Sequence, residues 1–197
     1  MPKNRGKPDA RVRLAAMIAL GAGLILVGGA LAAWVIEAQG DVLAARGERD
    51  DSVVPAAVSF PAPALYLQNT RGESESMEDY RGRVVLVNNW ATWCPPCRAE
   101  MPTLQSYYEA HAAEGLIVIG IEAGEPAAEV RAFADSFGLT FPVWVDTQTT
   151  ALQAFHNPSL PNSYVIDRTG TVRLAWIGEI SLPMLEVQVT PLLSEDY

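Results

Sequence analysis

The chain has 197 residues, of which 49% are hydrophobic and 19% are charged, and its formal net charge is −9. Residues 1–13 contain five basic residues and one acidic residue, a net charge of +4, so the rest of the chain carries −13. Because nucleic-acid binders present basic surfaces, this acidity excludes nucleic acid as a partner, and it is typical of a domain kept in solution by its charge.

An uncharged apolar segment of 23 residues follows the basic start, from Leu14 to Ile36. A helix of that length spans roughly 34 Å, enough to cross a hydrocarbon core of about 30 Å. The basic residues before it predict a cytoplasmic N-terminus. We predict a single-pass anchor at 14–36 in the cytoplasmic membrane, with the rest of the chain on the periplasmic or extracellular side. A cleavable signal peptide remains the alternative, since Ala30-Leu31-Ala32 has the small-x-small cleavage pattern.

Residues 37–60 show neither the helical nor the strand period and become rich in proline and alanine, which predicts a linker. Residues 61–197 then form one domain of ordinary size. The domain's hydrophobic pattern predicts alternating strands and helices, and therefore an α/β fold with a mixed central sheet flanked by helices. The predicted elements are a hairpin of Ala64–Gln68 and Glu73–Ser76, a helical turn at Met77–Tyr80, strand Val84–Asn88, helix Pro96–Ala113 kinked at Pro102, strand Leu116–Ile121, helix Pro126–Phe137, strand Val143–Val145, helix Thr149–Phe155, strands Ser163–Ile166 and Thr171–Ile177, and a final helix Ser181–Leu193.

The only two cysteines, Cys94 and Cys97, are separated by two residues and lie between a predicted strand and a predicted helix. Such a pair can close and reopen a disulfide, whereas it cannot supply the four ligands of a structural zinc site. The first turn of a helix has free N–H groups and the positive end of the helix dipole, and both favour a thiolate. The spacing therefore predicts a redox-active pair and no metal, with two buried inert cysteines as the alternative.

The segment Trp93-Cys94-Pro95-Pro96-Cys97, followed by Pro102, resembles the thioredoxin superfamily, and more closely the membrane-anchored TlpA/ResA/DsbE-like thiol–disulfide reductases of bacteria. The resemblance extends from about residue 61 to residue 193. It implies a thioredoxin-like fold and a thiol–disulfide oxidoreductase with Cys94 as nucleophile, Cys97 as resolving thiol and no cofactor beyond their disulfide.

The same resemblance implies a substrate-binding surface around the cysteines. It would be formed by Trp93, Pro95 and Pro96, together with the loop of Leu160 and Pro161. In thioredoxin-like folds this proline is cis and lies beside the disulfide, and the backbone of its loop pairs with an extended substrate.

Two further side chains bear on proton transfer. Glu100 lies three residues after Cys97, on the same face of the predicted helix, and the ResA-like branch implies a carboxylate there that exchanges a proton with Cys97; a solvated surface side chain is the alternative. Asn88 stands where thioredoxins have a buried aspartate, and an amide cannot exchange a proton in this range. We predict a core hydrogen bond for Asn88, and an exposed side chain for His111.

These observations predict an extracytoplasmic thiol–disulfide reductase. The resemblance implies that its substrate is a protein disulfide, in particular that of apocytochrome c before haem attachment, and that a membrane electron donor of thiols reduces the domain's own disulfide. A thiol oxidase or isomerase would use the same residues in reverse. A non-catalytic binding chaperone is the remaining alternative.

Overall fold

A computed structural model describes residues 53–195 of the chain. The predicted anchor at 14–36 and most of the predicted linker lie outside these residues. Within the part that the structure describes, no helix is both long and apolar enough to cross a membrane. The anchor therefore stays a prediction from the sequence.

The described residues form eight strands, five α-helices and two short 3₁₀ helices. The strands are β1 Ala56–Pro61, β2 Tyr66–Asn69, β3 Ser74–Ser76, β4 Val84–Trp90, β5 Leu116–Ala123, β6 Val143–Asp146, β7 Asn162–Ile166 and β8 Thr171–Ile177. The α-helices are α1 Pro95–His111, α2 Ala127–Phe137, α3 Thr150–Ala154, α4 Leu182–Gln188 and α5 Thr190–Leu193, and the 3₁₀ helices are Met77–Tyr80 and Ala112–Glu114.

All eight strands belong to one mixed sheet in the order β1-β8-β7-β4-β5-β6-β2-β3. The central strand β4 runs parallel to β5 and antiparallel to β7, and β5 runs parallel to β6. The parallel neighbours are joined by α1 and α2, as parallel pairing requires a crossover connection. This confirms the predicted mixed sheet flanked by helices, and it brings the carboxyl end of β4 next to that of β5.

The sheet is buried on both faces, which explains why β4 and β5 are apolar almost throughout rather than alternating. On one face, Leu86 belongs to a core cluster with Met101 and Leu104 of α1. On the other face, Val87 belongs to a second cluster with Phe155. The two clusters hold the sheet between the elements packed on its two faces. The residues after Trp90, at the end of β4, therefore have a defined position at the start of α1.

The structure corrects the predicted linker at 37–60, because its last residues form strand β1 rather than a linker. This strand pairs antiparallel with β8, with Ala56 opposite Ala175 and Phe60 opposite Val172. Most of its side chains are exposed, so its residues lack the apolar alternation that would have identified a strand. Its backbone hydrogen bonds to β8 make it an edge of the sheet.

The predicted final helix, Ser181–Leu193, is also wrong as a single element, because the structure divides it into α4 and α5. Pro191 lies in the first turn of α5. A proline in a helix interior removes an N–H donor and its ring clashes with the carbonyl four residues earlier, whereas the first turn of a new helix accepts it. The chain therefore begins a new helix at Thr190.

His111 was predicted to be exposed, yet it is 8% exposed at the end of α1. Its two ring nitrogens lie 3.2 Å from Glu114 and 3.0 Å from Glu186 of α4, and its ring packs against Tyr107. Burial by itself lowers the pKa of His111, but the hydrogen bonds to Glu186 and Glu114 outweigh it and raise the pKa. Tertiary packing of α4 on α1 therefore buries this histidine.

We expect His111→Gln to weaken the α1–α4 contact most at low pH. A raised pKa in the folded state means that the stabilisation is fully present below the histidine's ordinary pKa of about 6.5 and is lost as pH rises through the folded value. The expected loss in free energy of unfolding is about 1 kcal/mol on the acid side. Denaturant unfolding across pH measures it, and His156→Gln, at an exposed histidine, is the control. A loss that does not change with pH would contradict the prediction.

Candidate active site

The turn between β4 and α1 holds the two cysteines. Cys94 is the N-cap residue of α1, with extended backbone, and the backbone N–H of Cys97 donates to its Sγ. Pro95 and Pro96 occupy the first helical positions, where a backbone donor is not needed. Cys94 and Cys97 are joined in a disulfide with a Cα–Cα distance of 5.3 Å. The predicted pairing is therefore present, at a helix N-terminus that favours a thiolate when the bond is reduced.

Glu100 is completely buried, one helical turn beyond Cys97. The Nδ2 group of Asn88 donates to its Oε1 at 2.8 Å and to the hydroxyl of Ser163 on β7 at 2.9 Å. Burial raises the pKa of Glu100 to about 8, opposed by the hydrogen bond from Asn88 and assisted by the negative charge of Glu179. The structure thus places Glu100 in the interior rather than in solvent, and Asn88 makes the core hydrogen bond that was predicted.

The backbone N–H of Ile180 also lowers the pKa of Glu100, but Oε2 makes no hydrogen bond of normal geometry within residues 53–195. A buried carboxylate oxygen without a donor is costly, whereas a carboxyl that keeps its proton is not charged. At neutral pH the neutral form therefore predominates. A pKa of about 8 places Glu100 in the range where a carboxyl can both take up and release a proton near neutral pH.

Three of the residues predicted to bind substrate are exposed and adjoin the cysteines in sequence. Trp93 is 67% exposed, which is unusual for so large an apolar side chain. Pro95 and Pro96 are exposed as well. Leu160 is partly buried and packs against the core cluster that contains both cysteines. The structure thus exposes apolar side chains on either side of Cys94 in the sequence, while their part in substrate binding stays a prediction.

The predicted cis peptide bond is present between Leu160 and Pro161. Pro161 is buried, and its carbonyl accepts a hydrogen bond from the N–H of Gly178 at 2.8 Å. The next residue, Asn162, accepts a hydrogen bond from the side chain of Asn89 on β4 at 2.8 Å. These contacts tie the cis-proline loop to the strand that leads into the cysteines.

The sequence reasoning missed two carboxyl groups beside this turn, Glu122 and Glu125. Glu125 accepts hydrogen bonds from the backbone N–H and the hydroxyl of Thr92, at 3.2 and 2.7 Å. Glu122 is completely buried, and its Oε2 accepts from the N–H of Glu125 at 2.9 Å. The signal available in the sequence was a glutamate that ends an apolar run in a strand parallel to β4, where strand ends converge.

No group of three or more His, Cys, Asp or Glu side chains within residues 53–195 is arranged to hold a metal ion. The pair of cysteines itself is the redox group that the described part of the chain contains.

Comparison with known proteins agrees with this geometry. The family model for the AhpC/TSA family matches residues 58–175. The chain is 36% identical over 130 residues to the thiol-disulfide oxidoreductase ResA of Geobacillus kaustophilus, which covers 66% of this chain and 75% of that protein. The chain belongs to the AhpC/TSA family. The chain is also 36% identical over 129 residues to the thioredoxin-like protein YneN of Bacillus subtilis, and the match covers 64% of this chain and 74% of that protein.

Solved structures show the same fold. A crystal structure of a thiol:disulfide interchange protein of the thioredoxin family from Chlorobium tepidum matches the present chain with a TM-score of 0.63 and 28% identity. The match covers 71% of this chain and 99% of that chain. The crystal structure of StoA from Bacillus subtilis matches with a TM-score of 0.56 and 25% identity, and the match covers 66% of this chain and 98% of that chain. The fold is therefore thioredoxin-like, and the protein is a thiol–disulfide oxidoreductase.

We expect alkylation of the reduced oxidoreductase near neutral pH to label Cys94 faster than Cys97 by roughly tenfold or more, because the thiolate is the reactive form and the helix N-terminus favours it at Cys94. Cys97 is completely buried, whereas Cys94 retains some exposure. Mass spectrometry of a time course with iodoacetamide measures both rates, and Cys94→Ala gives the rate of Cys97 alone. Equal rates would overturn the assignment of Cys94 as nucleophile.

Proposed function

We propose that the protein is an extracytoplasmic reductase of protein disulfides that acts in cytochrome c maturation. The observation that carries this proposal is the Cys94–Cys97 disulfide at the start of α1 with Glu100 buried one turn beyond it. This combination supplies a nucleophile, a resolving thiol and a proton-holding group within two turns of one helix.

In the proposed reaction the Cys94 thiolate attacks one sulfur of the substrate disulfide. The substrate S–S bond breaks as the mixed disulfide forms, and the other substrate sulfur leaves as a thiolate and takes up a proton. Cys97 passes its proton to the carboxylate form of Glu100 and attacks the Sγ of Cys94. The S–S bond between Cys94 and the substrate breaks as the Cys94–Cys97 disulfide forms, and the second substrate sulfur leaves as a thiolate and takes up a proton from solvent. The substrate gains two electrons and two protons, and the cysteine pair loses two electrons.

The charges around α1 support the reducing direction. Strong disulfide oxidants stabilise their reduced form as a thiolate. Here the group buried next to the pair is a carboxyl, Glu100, with the negative charge of Glu179 near it. Glu100 is mostly neutral at neutral pH and brings no positive charge that would stabilise a thiolate on Cys97, and the negative charge of Glu179 opposes one. We therefore expect the reduced pair to be a better electron donor than that of an oxidase.

The reduction potential tests this direction. Equilibration of the folded domain with defined dithiol/disulfide buffers, followed by thiol quantification, measures this potential. We expect a reduction potential of about −250 mV, close to that of thioredoxin and far from the roughly −120 mV of the strong oxidant DsbA. A value near the latter would instead support the thiol oxidase, which uses the same residues in reverse.

Apocytochrome c is the proposed substrate. Its C-x-x-C-H cysteines must be reduced before haem attachment, and a membrane donor of thiols would regenerate the reduced enzyme. The test uses two oxidised peptides that contain the two cysteines of this motif, one with the histidine and one with alanine in its place. Faster reduction of both than of an unrelated cyclic disulfide peptide would support the substrate; no preference over the unrelated peptide would contradict it.

The proposal also places residues 14–36 in the cytoplasmic membrane as a single-pass anchor, which would hold the domain close to membrane-bound partners. The uncharged run of 23 residues and the basic residues before it support this. N-terminal sequencing of protein extracted from membranes is expected to find the original start. A new start near Ala33 would show cleavage and a released domain.

A further inference from the structure

A second buried carboxyl group lies at the carboxyl end of β5. Glu122 is directly opposite Trp90, the last residue of β4, in the parallel pairing of the two strands. Glu122 is completely buried. It is therefore fixed beside the point where the chain leaves the sheet and turns toward Cys94, four residues after Trp90.

A chain of hydrogen bonds leads from Glu122 to that turn. Oε2 of Glu122 accepts from the N–H of Glu125 at 2.9 Å. The carboxylate of Glu125 then accepts from both the N–H and the hydroxyl of Thr92, at 3.2 and 2.7 Å. Thr92 lies two residues before Cys94, so this chain connects the end of β5 to the entrance of the redox motif.

The other oxygen of Glu122, Oε1, has no hydrogen-bond donor among the described residues. The titratable groups that face Glu122 are carboxylates, Glu125 from the following loop and Asp146 from β6. Burial raises the pKa of Glu122 to about 8. The N–H of Glu125 opposes this shift, whereas a side-chain hydrogen bond with Glu125 and the negative charges of Glu125 and Asp146 assist it. Burial also tends to raise the pKa of Glu125, but hydrogen bonds from Thr92 and Glu122 hold it below its ordinary value. The pair therefore holds one proton, on Glu122, at neutral pH.

We propose that Glu122 is a positioning residue for thiol–disulfide exchange, which in its neutral form donates a hydrogen bond to the Glu125 carboxylate and thereby holds Thr92 and the turn that presents Cys94. The proposal rests on exchange at Cys94 and not on the direction of the reaction or on the identity of the substrate. When Glu122 loses its proton, two carboxylates face one another, and their repulsion releases the contact with Thr92.

The proposal separates Glu122 from Glu100, although both titrate in the same range. Glu100 must exchange its proton, so glutamine at that position removes its role. Glu122 must keep its proton, and a glutamine amide has both the N–H donor for Glu125 and the acceptor for its backbone. Glu122→Gln should therefore reproduce the neutral form at every pH.

The experiment follows the rate at which reduced protein attacks dipyridyl disulfide, in a Glu100→Gln background that removes the other titrating carboxyl. The fraction of Cys94 present as thiolate by itself predicts a rate that rises with pH to a plateau. In this background we expect the rate above about pH 8 to fall roughly fivefold or more below that prediction, because a misplaced nucleophile reacts more slowly. Added Glu122→Gln is expected to abolish that fall and to leave the rate near neutral pH unchanged. Added Glu122→Leu is expected to show the fall already near neutral pH.

Circular dichroism establishes that each variant is folded, and the comparison of Glu122→Gln with its parent decides the matter even if Glu122→Leu does not fold. Superimposable pH profiles for the Glu122→Gln variant and its parent would overturn the proposal. Because the probe is a small disulfide and the readout is the first attack, failure here leaves the proposed reductase function intact, and a wrong direction or substrate leaves this profile intact.

Discussion

Replacing Cys97 with alanine is expected to stop turnover and to leave Cys94 joined to its substrate as a mixed disulfide. In the wild type Cys97 resolves this intermediate, so its loss should reduce multiple-turnover exchange by at least ~100-fold while the first attack remains. Purification of the variant from cells without reductant, followed by mass spectrometry of the partners released by reduction, measures the effect and identifies the substrate.

Cys94→Ala is the matched control, because it removes the nucleophile and keeps Cys97 in its buried position. It is expected to capture nothing. Equal capture by both variants would mean that Cys97 also attacks substrates, and the order of the two cysteines in the mechanism would then be wrong.

Glu100→Gln is expected to slow the resolving step by about tenfold, equivalent to about 1.4 kcal/mol of barrier. Glutamine preserves the shape and can still accept the hydrogen bond from Asn88, but it cannot take the proton of Cys97. Single-turnover kinetics across pH separate the first attack, which should change little, from resolution. Superimposable profiles for wild type and variant would show that another group or water carries the proton.

The same variant has a pH-dependent effect on stability. The folded wild type keeps the proton on Glu100 up to about pH 8, whereas the unfolded chain releases it near the ordinary value of 4.5. The folded state thus binds more protons in this range, so the contribution is fully present below the ordinary value and is lost as pH rises through about 8. Between these two pH values the free energy of unfolding of the wild type should therefore fall by up to about 1.4 kcal/mol per pH unit because of Glu100. Glu100→Gln should remove this dependence, as measured by denaturant unfolding.

Much of the fold was predictable because its signals are local. The apolar runs of β4 and β5, the helix formers after Cys97 and the glycine after Phe137 set most element positions within a few residues. The prediction was wrong where local pattern and tertiary contact disagree. Strand β1 exists because β8 offers it a backbone partner, and an exposed edge strand needs no apolar alternation.

For the site, the sequence by itself determined the chemistry: Cys94 and Cys97 are close because a helical turn joins them, and Glu100 follows on the same face by helical geometry. Tertiary structure alone decided what each carboxyl can do. Burial under the sheet, next to Asn88, raises the pKa of Glu100, and the parallel register of β4 and β5 puts Glu122 beside Trp90. Protonation depends on solvent access and on charges distant in sequence, and neither quantity is contained in a local pattern of residues.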